Sequence, residues 1–154
     1  MFGDEQLKLK QDLRKLCLGI LEDRMENARF AVDEIEDLIQ GIGGTSEESD
    51  DDYINSKRLE LEMLSKRLMD ARDELKRLQR MRIEEEFREV GPGAVVMTDE
   101  GNFFVAVGLG VIHAQGGAFM GISALAPIYL AMAGKKSGEK FSFREKHYQI
   151  RDIF

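Results

Sequence analysis

Apolar residues recur at alternating intervals of three and four along the first half of the chain, as they do on the contact seam of a coiled coil. Two such runs are present, and the positions between the apolar residues are largely Glu, Lys, Arg and Asp. The runs predict two helices of about 37 residues, or about 55 Å, each. The first seam comprises Leu18, Leu21, Met25, Ala28, Val32, Ile35, Ile39 and Ile42, and the second comprises Leu61, Leu64, Leu68, Ala71, Leu75 and Leu78.

A glycine cluster at 41–44 lies midway between the two runs and predicts a reversal of the chain. Thr45 or Ser46 can then cap the second helix. We therefore expect an antiparallel coiled-coil hairpin within one chain, and a helix pair that forms only by dimerisation is the alternative. A broader apolar face near the base of the hairpin is expected to pack on the second half of the chain. This face comprises Leu7, Leu9, Leu13, Leu16, Ile20, Ile83 and Phe87.

The composition changes at Gly91-Pro92-Gly93, a step that ends a helix and lets the chain turn. We place the domain boundary there, with a coiled-coil finger in 1–90 and a small α+β domain in 91–154. Short apolar runs in the second domain predict strands, and Pro127 and Gly134 bracket a short helix. The predicted strands are 94–98, 103–107, 119–123, 140–143 and 148–154, and the predicted helix is 126–133.

The stretch from Gly101 to Gly134 contains no Asp, Glu, Lys or Arg, which raises the question of a membrane span. Seven glycines and Pro127 interrupt it, whereas a spanning helix needs about 20 continuous apolar residues. Buried strands with glycine turns fit this composition better, so we expect no membrane partner. The first residues also lack the apolar segment of a signal peptide, and we expect a cytoplasmic protein.

Negative charge is concentrated in one part of the chain, residues 30–56, which we call the acidic window. It contains nine acids and no Lys or Arg, so it carries −9, against −7 for the whole chain and +2 for the remainder. Acids near a helix N-terminus favour the helix dipole, and a polar tip keeps a hairpin soluble. Nine acids without a counter-charge nevertheless repel one another, which favours a functional acidic tip. The acids are Asp33, Glu34, Glu36, Asp37, Glu47, Glu48, Asp50, Asp51 and Asp52.

Carboxylates are ligands that Mg²⁺ prefers, so Asp50, Asp51 and Asp52 are candidates for a metal ion shared with a partner's site. An exposed tip cannot by itself exclude water or position a substrate, and we do not expect an enzyme. An acidic chain also disfavours direct binding of nucleic acid.

Other chemistry is weakly supported. Cys17 is the only cysteine, and we interpret it as a packing residue in a leucine-rich helix. His113 and His147 are the only histidines, so a zinc site is not expected. The Gly108-Leu109-Gly110 step lacks the context of a nucleotide-binding loop.

The segment from Ala126 to Glu139, APIYLAMAGKKSGE, resembles the signature of the Gre transcription elongation factors. That signature is Ser-Pro-Leu, a short apolar helix, and Gly-Lys-Lys-x-Gly-Asp/Glu leading into a strand. The residues from Tyr148 to Ile150, with Ile153, are similar to that family's closing strand, and the order of parts is the same. The resemblance implies an FKBP-like C-terminal domain that docks at the rim of the secondary channel of bacterial RNA polymerase. Pro127, Lys135 and Lys136 are then candidate polymerase contacts.

The resemblance also implies that the coiled coil enters the channel. Tyr53 and Lys57 resemble the Tyr and Lys beyond the tip of Gre factors, and they are further candidates for partner contacts. In that family a tip Asp and a Glu three residues later help to hold the Mg²⁺ ion that cleaves backtracked RNA. Aligned on Tyr53, this chain has Ser46 and Ser49 at those positions. Its acids lie instead at Glu47, Glu48, Asp50, Asp51 and Asp52.

These features predict a transcription elongation factor that binds RNA polymerase and stimulates the cleavage of backtracked RNA. We expect a monomer without catalytic activity or a cofactor of its own, which meets nucleic acid only within the polymerase complex. Two alternatives stay open. One is a polymerase-binding inhibitor or modulator without cleavage activity, and the other is a structural or chaperone-like coiled-coil adaptor.

Overall fold

The computed structural model of the chain describes residues 3–42 and 48–154, and the side chains of 42 and 48–50 are left undescribed. The chain divides into two compact units. The hairpin unit comprises residues 19–76, and the sheet unit comprises residues 1–18 and 77–154. In chain order the elements are α1 (Asp4–Ile42), α2 (Glu48–Arg80), β1 (Val95–Thr98), β2 (Gly101–Val105), β3 (Gly110–Ala114), β4 (Gly117–Ile122), α3 (Pro127–Met132), β5 (Lys140–Phe143) and β6 (Lys146–Ile153).

The helices of the hairpin unit bury the seams that the apolar spacing predicts. Val32 and Ile35 on α1, and Leu68 and Ala71 on α2, are buried, and every other described seam position in this unit is buried or partly buried. Phe30 lies off the seam and is 66% exposed. Both helices line one groove at the level of Ala71, which places them side by side. The predicted helical hairpin followed by an α+β sheet domain is confirmed.

Helix α2 ends at Arg80, so it is shorter than predicted, and residues 81–90 follow it as an irregular segment with bends. Side chains of α1 bind the carbonyl groups that this segment exposes. Arg14 Nη1 donates to the carbonyl of Met81 (3.4 Å), and Lys10 Nζ donates to the carbonyl of Glu85 (3.3 Å). Ile83 is nevertheless fully buried, so the apolar contact predicted for it forms without a helix.

The sheet unit contains one six-stranded mixed sheet in the order β3-β4-β2-β1-β6-β5. Neighbouring strands are antiparallel except β2 and β4, which run parallel. The five predicted strands correspond to β1, β2, β4, β5 and β6, whereas β3 is missed by the apolar pattern. The charge-free stretch 101–134 thus forms three strands and a short helix. Among the described residues, no helix combines the length and the apolar character needed to cross a membrane.

Helix α3 covers one face of the sheet. Pro127 is its first residue, as predicted, and Gly134 follows it with a φ of +75°, a backbone conformation that glycine adopts without strain. Below α3, the rings of Phe141 and Tyr148 stack with their centroids 4.7 Å apart. The buried residues of this core are Val90, Ala94, Val96, Phe103, Val105, Ile122, Met132, Phe141, Tyr148, Ile150 and Ile153.

The other face of the sheet also buries apolar side chains, namely Val95, Phe104 and Ile112. No helix of the segment 91–154 remains to cover it, and the first residues of α1 and the end of α2 belong to this same unit. Gln115 Nε2 donates to Asp12 (2.9 Å), and Gln6 Nε2 donates to Asp152 (3.1 Å). The expected packing of the hairpin base on the second half of the chain is therefore present. Its buried residues are Lys10, Leu13, Cys17, Leu78 and Ile83.

At the base of the hairpin, one residue departs from the sequence prediction and another agrees with it. Leu16 was expected on the apolar face but is 42% exposed, because it lies about 100° around the helix from the buried Cys17. Cys17 has no exposed surface, as a packing residue should. Burial raises the pKa of its thiol to about 11, so the thiol stays protonated and unreactive at neutral pH.

Lys10 is fully buried, which is unusual for a lysine. Besides its hydrogen bond to the Glu85 carbonyl, its Nζ lies 4.4 Å from the centroid of the Phe87 ring. Loss of hydration lowers its pKa from the usual 10.5 to about 8, against the opposing attraction of Glu84 and Glu85. The folded chain therefore releases this proton more readily than the unfolded chain does.

Replacement of Lys10 by Met should reveal this proton release as a pH-dependent difference in stability. Between pH 8 and 10.5 the unfolded wild-type chain binds more protons at Lys10 than the folded chain does. The free-energy cost of burying a charged Lys10 therefore declines as pH rises. The unfolding free energy of wild type minus that of Lys10→Met should increase with pH, by up to about 1.4 kcal/mol per pH unit. Urea unfolding of both proteins from pH 7 to 10 measures it, and a flat difference would contradict the assignment.

Candidate functional site

The acidic window lies in the hairpin unit, and the structure describes part of it. Glu47 lies outside the described residues, and Glu48 and Asp50 belong to the first turn of α2 with undescribed side chains. Asp51 and Asp52 follow in the same helix and are exposed. On α1, the four acids of the window are also exposed; they are Asp33, Glu34, Glu36 and Asp37.

The acids of the window whose side chains are described form no ion pair and no side-chain hydrogen bond with any described residue. Sequence spacing explains this for α2. The residues three and four positions after Asp51 and Asp52, where a helical partner would lie, are Ile54, Asn55 and Ser56, and none of them is a base. The negative charge of the window is therefore unneutralised within the described part of the chain.

Lys57 is the first base after the acidic window and lies one helical turn beyond Tyr53. Its Nζ donates to Glu60 Oε2 (3.1 Å) and lies 5.4 Å from the centroid of the Tyr53 ring. The hydrogen bond to Glu60 and the charge of that carboxylate raise the pKa of Lys57, so it carries a full charge at neutral pH. Tyr53 is 44% exposed, and the two predicted partner contacts thus form one cation–π pair on α2.

The other predicted contacts lie in the sheet unit. Pro127 is exposed at the start of α3. Lys135 and Lys136 follow that helix in a segment held by backbone hydrogen bonds, since Val90 N donates to the Lys135 carbonyl (2.8 Å) and Gly134 N to the Val90 carbonyl (2.9 Å). Lys136 is exposed and pairs with Glu89 in an isolated antiparallel bridge. The segment therefore has a backbone position that does not depend on its lysine side chains.

A cavity of about 240 Å³ opens beside α3, on the sheet unit. Its wall is mainly apolar, and at its rim Lys146 Nζ lies 3.6 Å from Glu100 Oε2. Val111 and Met120, a cross-strand pair on β3 and β4, line it and are 58% and 42% exposed. Pockets for drug-sized ligands are usually 300–1,000 Å³, so this one suits a single large apolar side chain. The remaining lining residues are Gly101, Asn102, Phe103, Ala118, Phe119, Ile128 and Tyr148.

Sequence reasoning missed this cavity because it missed strand β3. The glycines at 108 and 110 conceal the strand, yet from Val111 to Ala114 the exposed and buried positions alternate strictly. The residue types do not show this alternation, because Val111 and Ile112 are both apolar, so the sequence does not reveal that Val111 is exposed.

The described residues contain no group of three or more His, Cys, Asp and Glu side chains placed to hold a metal ion. Asp51 and Asp52 are consecutive on a helix, so their side chains diverge by about 100° and do not converge on one ion. One exposed carboxylate fits a role as a partial ligand, with the remaining ligands supplied from elsewhere. The prediction of a shared Mg²⁺ ion at Asp50, Asp51 and Asp52 stays a prediction.

Comparison with known proteins gives little sequence similarity. No family model and no curated protein matches the chain. Among solved structures it is similar to the GreA factor homolog 1 (Gfh1) protein of Thermus thermophilus, at 18% identity over 89% of this chain and 94% of that chain, with a TM-score of 0.35. A second structure of the transcription factor Gfh1 gives 19% identity over 88% and 92% of the two chains, with a TM-score of 0.34. These TM-scores are too low to establish a shared fold.

Removing charge from the unneutralised acids should raise the stability of the hairpin unit. The variant Asp37→Asn with Asp52→Asn removes one acid from each helix, and we expect the unfolding free energy to rise by about 0.5 kcal/mol at low ionic strength. The gain should vanish near 1 M NaCl, where screening acts over about 3 Å. Urea unfolding at 10 mM (about 30 Å screening) and at 1 M NaCl tests this. A variant less stable than wild type at low salt would show that these acids have stabilising partners.

Proposed function

We propose that this chain binds bacterial RNA polymerase at its secondary channel and presents the acidic window to the interior of the enzyme. The sheet unit docks on the polymerase surface, and the hairpin unit carries the charge. The chain has no catalytic activity of its own and acts only on the polymerase, whose intrinsic RNA cleavage it stimulates.

The observation that carries this proposal is the unneutralised charge of the acidic window on a two-helix hairpin. Seam burial stabilises the hairpin, and the exposed acids of both helices contribute repulsion rather than packing. Charge of this kind is useful where it meets a cation or a basic surface of a partner. The resemblance of the segment 126–139 to the Gre signature supports RNA polymerase as that partner.

Docking through the sheet unit is supported by two neighbouring features of α3. The helix starts at the exposed Pro127, and its Ile128 lines the apolar cavity. A polymerase side chain inserted there would cover Val111 and Met120, whose exposure in the free chain is unfavourable in water. Lys135 and Lys136 would add a charged contact at the other end of the helix.

The tip is proposed to assist chemistry that belongs to the polymerase. Either Asp51 or Asp52 fits partial ligation of Mg²⁺, and Asp50 precedes them in the helix. When bound, such an ion polarises a phosphodiester and orients a water molecule. The chain itself contributes carboxylates and their position. Asp51 and Asp52 add no enclosed site, because their carboxylates are exposed to solvent.

One feature favours a second function, inhibition without cleavage. Aligned on Tyr53, Ser46 and Ser49 occupy the positions where Gre factors carry their two tip acids. A hydroxyl cannot replace a carboxylate as a charged ligand of Mg²⁺. In that case the displaced acids would occupy the channel and interfere with nucleotide addition. Neutralising the tip acids would give different results for the two functions.

Neutralising the tip acids should abolish function while polymerase binding persists. The variant exchanges all five acids of the tip for the corresponding amides, which keeps their size and removes their charge. If the tip stimulates cleavage, RNA cleavage in a stalled elongation complex should fall to the level without the protein. If the tip inhibits, nucleotide addition should recover in the presence of the variant. The substitutions are Glu47→Gln, Glu48→Gln, Asp50→Asn, Asp51→Asn and Asp52→Asn.

A matched control removes the same charge from exposed acids outside the acidic window and should behave as wild type in both assays. A neutral tip that matches wild type would refute a functional role for the tip. Failure of the wild-type chain to co-purify with core polymerase would instead favour an adaptor. The control substitutions are Glu22→Gln, Asp23→Asn, Glu26→Gln, Glu62→Gln and Asp73→Asn.

Charge reversal of Lys135 and Lys136 to Glu should weaken polymerase binding by about tenfold or more, because an attraction becomes a repulsion. The melting temperature should stay nearly unchanged, since backbone hydrogen bonds hold this segment. Reversal of Lys8 and Lys15, which are exposed in the same unit, provides the control with equal net charge. Equal binding by the two variants would show that Lys135 and Lys136 do not contact the polymerase.

A further inference from the structure

Lys57 occupies a position where the spacing of α2 calls for an apolar residue. Lys57 lies seven residues before Leu64, and Ala71 and Leu78 follow at the same interval, so Lys57 belongs to this row of the seam. The other row of the α2 seam begins at Ile54. Among the described seam positions of the hairpin unit, residues 19–76, Lys57 is the one that carries a charge. Its side chain is 23% exposed, so it lies partly within the seam.

A lysine in a seam position costs stability, because its stem packs less well than leucine. The pair with Glu60 does little to offset this cost. Glu60 is 46% exposed, and ion pairs between solvent-accessible residues on one helix contribute little to the folding free energy. Helix stability therefore does not explain why a lysine and its partner glutamate lie here.

The geometry instead orders the ammonium group. Glu60 lies one turn after Lys57 and receives its hydrogen bond at 3.1 Å, while the Tyr53 ring lies one turn before it at 5.4 Å. Lysine stems are flexible, and without Glu60 this one is free to turn towards the acids that precede it. With Glu60, the ammonium group has a fixed place beside an exposed ring.

We propose that Glu60 is a positioning residue, which holds Lys57 against Tyr53 so that the two form a pre-ordered contact for the partner. The proposal rests on the proposed function, in which Tyr53 and Lys57 contact RNA polymerase. It adds a residue that no sequence feature singles out and assigns it an action through Lys57. Ordering before binding improves affinity, because less side-chain freedom is lost in the complex.

The test compares Glu60→Gln with Glu62→Gln, a nearby exposed acid that makes no ion pair with any described residue. The first readout is NMR of the Lys57 side chain in the full-length chain. In wild type, its ε-methylene protons should be shifted by the Tyr53 ring current, and its pKa should be raised. Glu60→Gln should reduce the ring-current shift and lower the pKa of Lys57 towards its usual value, and Glu62→Gln should change neither.

The second readout is the affinity for core RNA polymerase, measured in the wild-type and Lys57→Met backgrounds. Glu60→Gln should weaken binding about two- to fivefold in wild type and leave it unchanged in the Lys57→Met background. A role of Glu60 in helix stability alone would give the same loss in both backgrounds and would overturn the proposal. Unchanged Lys57 resonances in Glu60→Gln would overturn it as well.

If the proposed function is wrong, these experiments give a different result. In that case the unsubstituted chain does not bind polymerase, and the partner contact assigned to Tyr53 and Lys57 is refuted with it. The NMR comparison still decides whether Glu60 orders Lys57.

Discussion

The sheet has two apolar faces, and the segment that forms it contributes one helix of six residues to cover them. Helix α3 covers one face, and Val95, Phe104 and Ile112 on the other face need a cover from elsewhere in the chain. The base of the two long helices supplies it. This requirement accounts for the fully buried Leu13, Cys17 and Ile83, for the irregular path after Arg80, and for a buried Lys10. Small sheets bury too little surface to be stable alone, so the cover is a condition of the fold.

Much of the hairpin could be predicted because its core depends on local spacing. The rows from Leu18 to Ile39 and from Leu61 to Leu75 are buried or partly buried as their period requires. The end of α2 could not be predicted, because it depends on Arg14 and Lys10, which lie more than 60 residues away in sequence and bind its carbonyl groups. Strand β3 was missed because glycines 108 and 110 weaken its pattern, although pairing with β4 buries Ile112 and Ala114.

The candidate contacts show a similar division. The acidic window is a property of composition and needs no coordinates, and the start of α3 at Pro127 follows from the backbone of proline. The apolar cavity could not be predicted, because it brings together β2, β3, β4, β6 and α3. Glu60 gives no sequence signal that sets it apart from the other acids of α2. Only the position of the Lys57 ammonium group between it and Tyr53 distinguishes it.

The pairing of Val95 with Phe154 bears on how the protein is made. Val95 N donates to the Phe154 carbonyl (2.7 Å), Phe154 N donates back (3.1 Å), and Gln6 bonds to Asp152 across 146 positions of sequence. Helix pairing in the hairpin is local and forms in microseconds to milliseconds, whereas ribosomes add about 5–20 residues per second. A nascent chain therefore carries a finished hairpin before β6 has emerged to complete the sheet on which the base of α1 packs. For those seconds the base of α1 is an apolar surface open to chaperones.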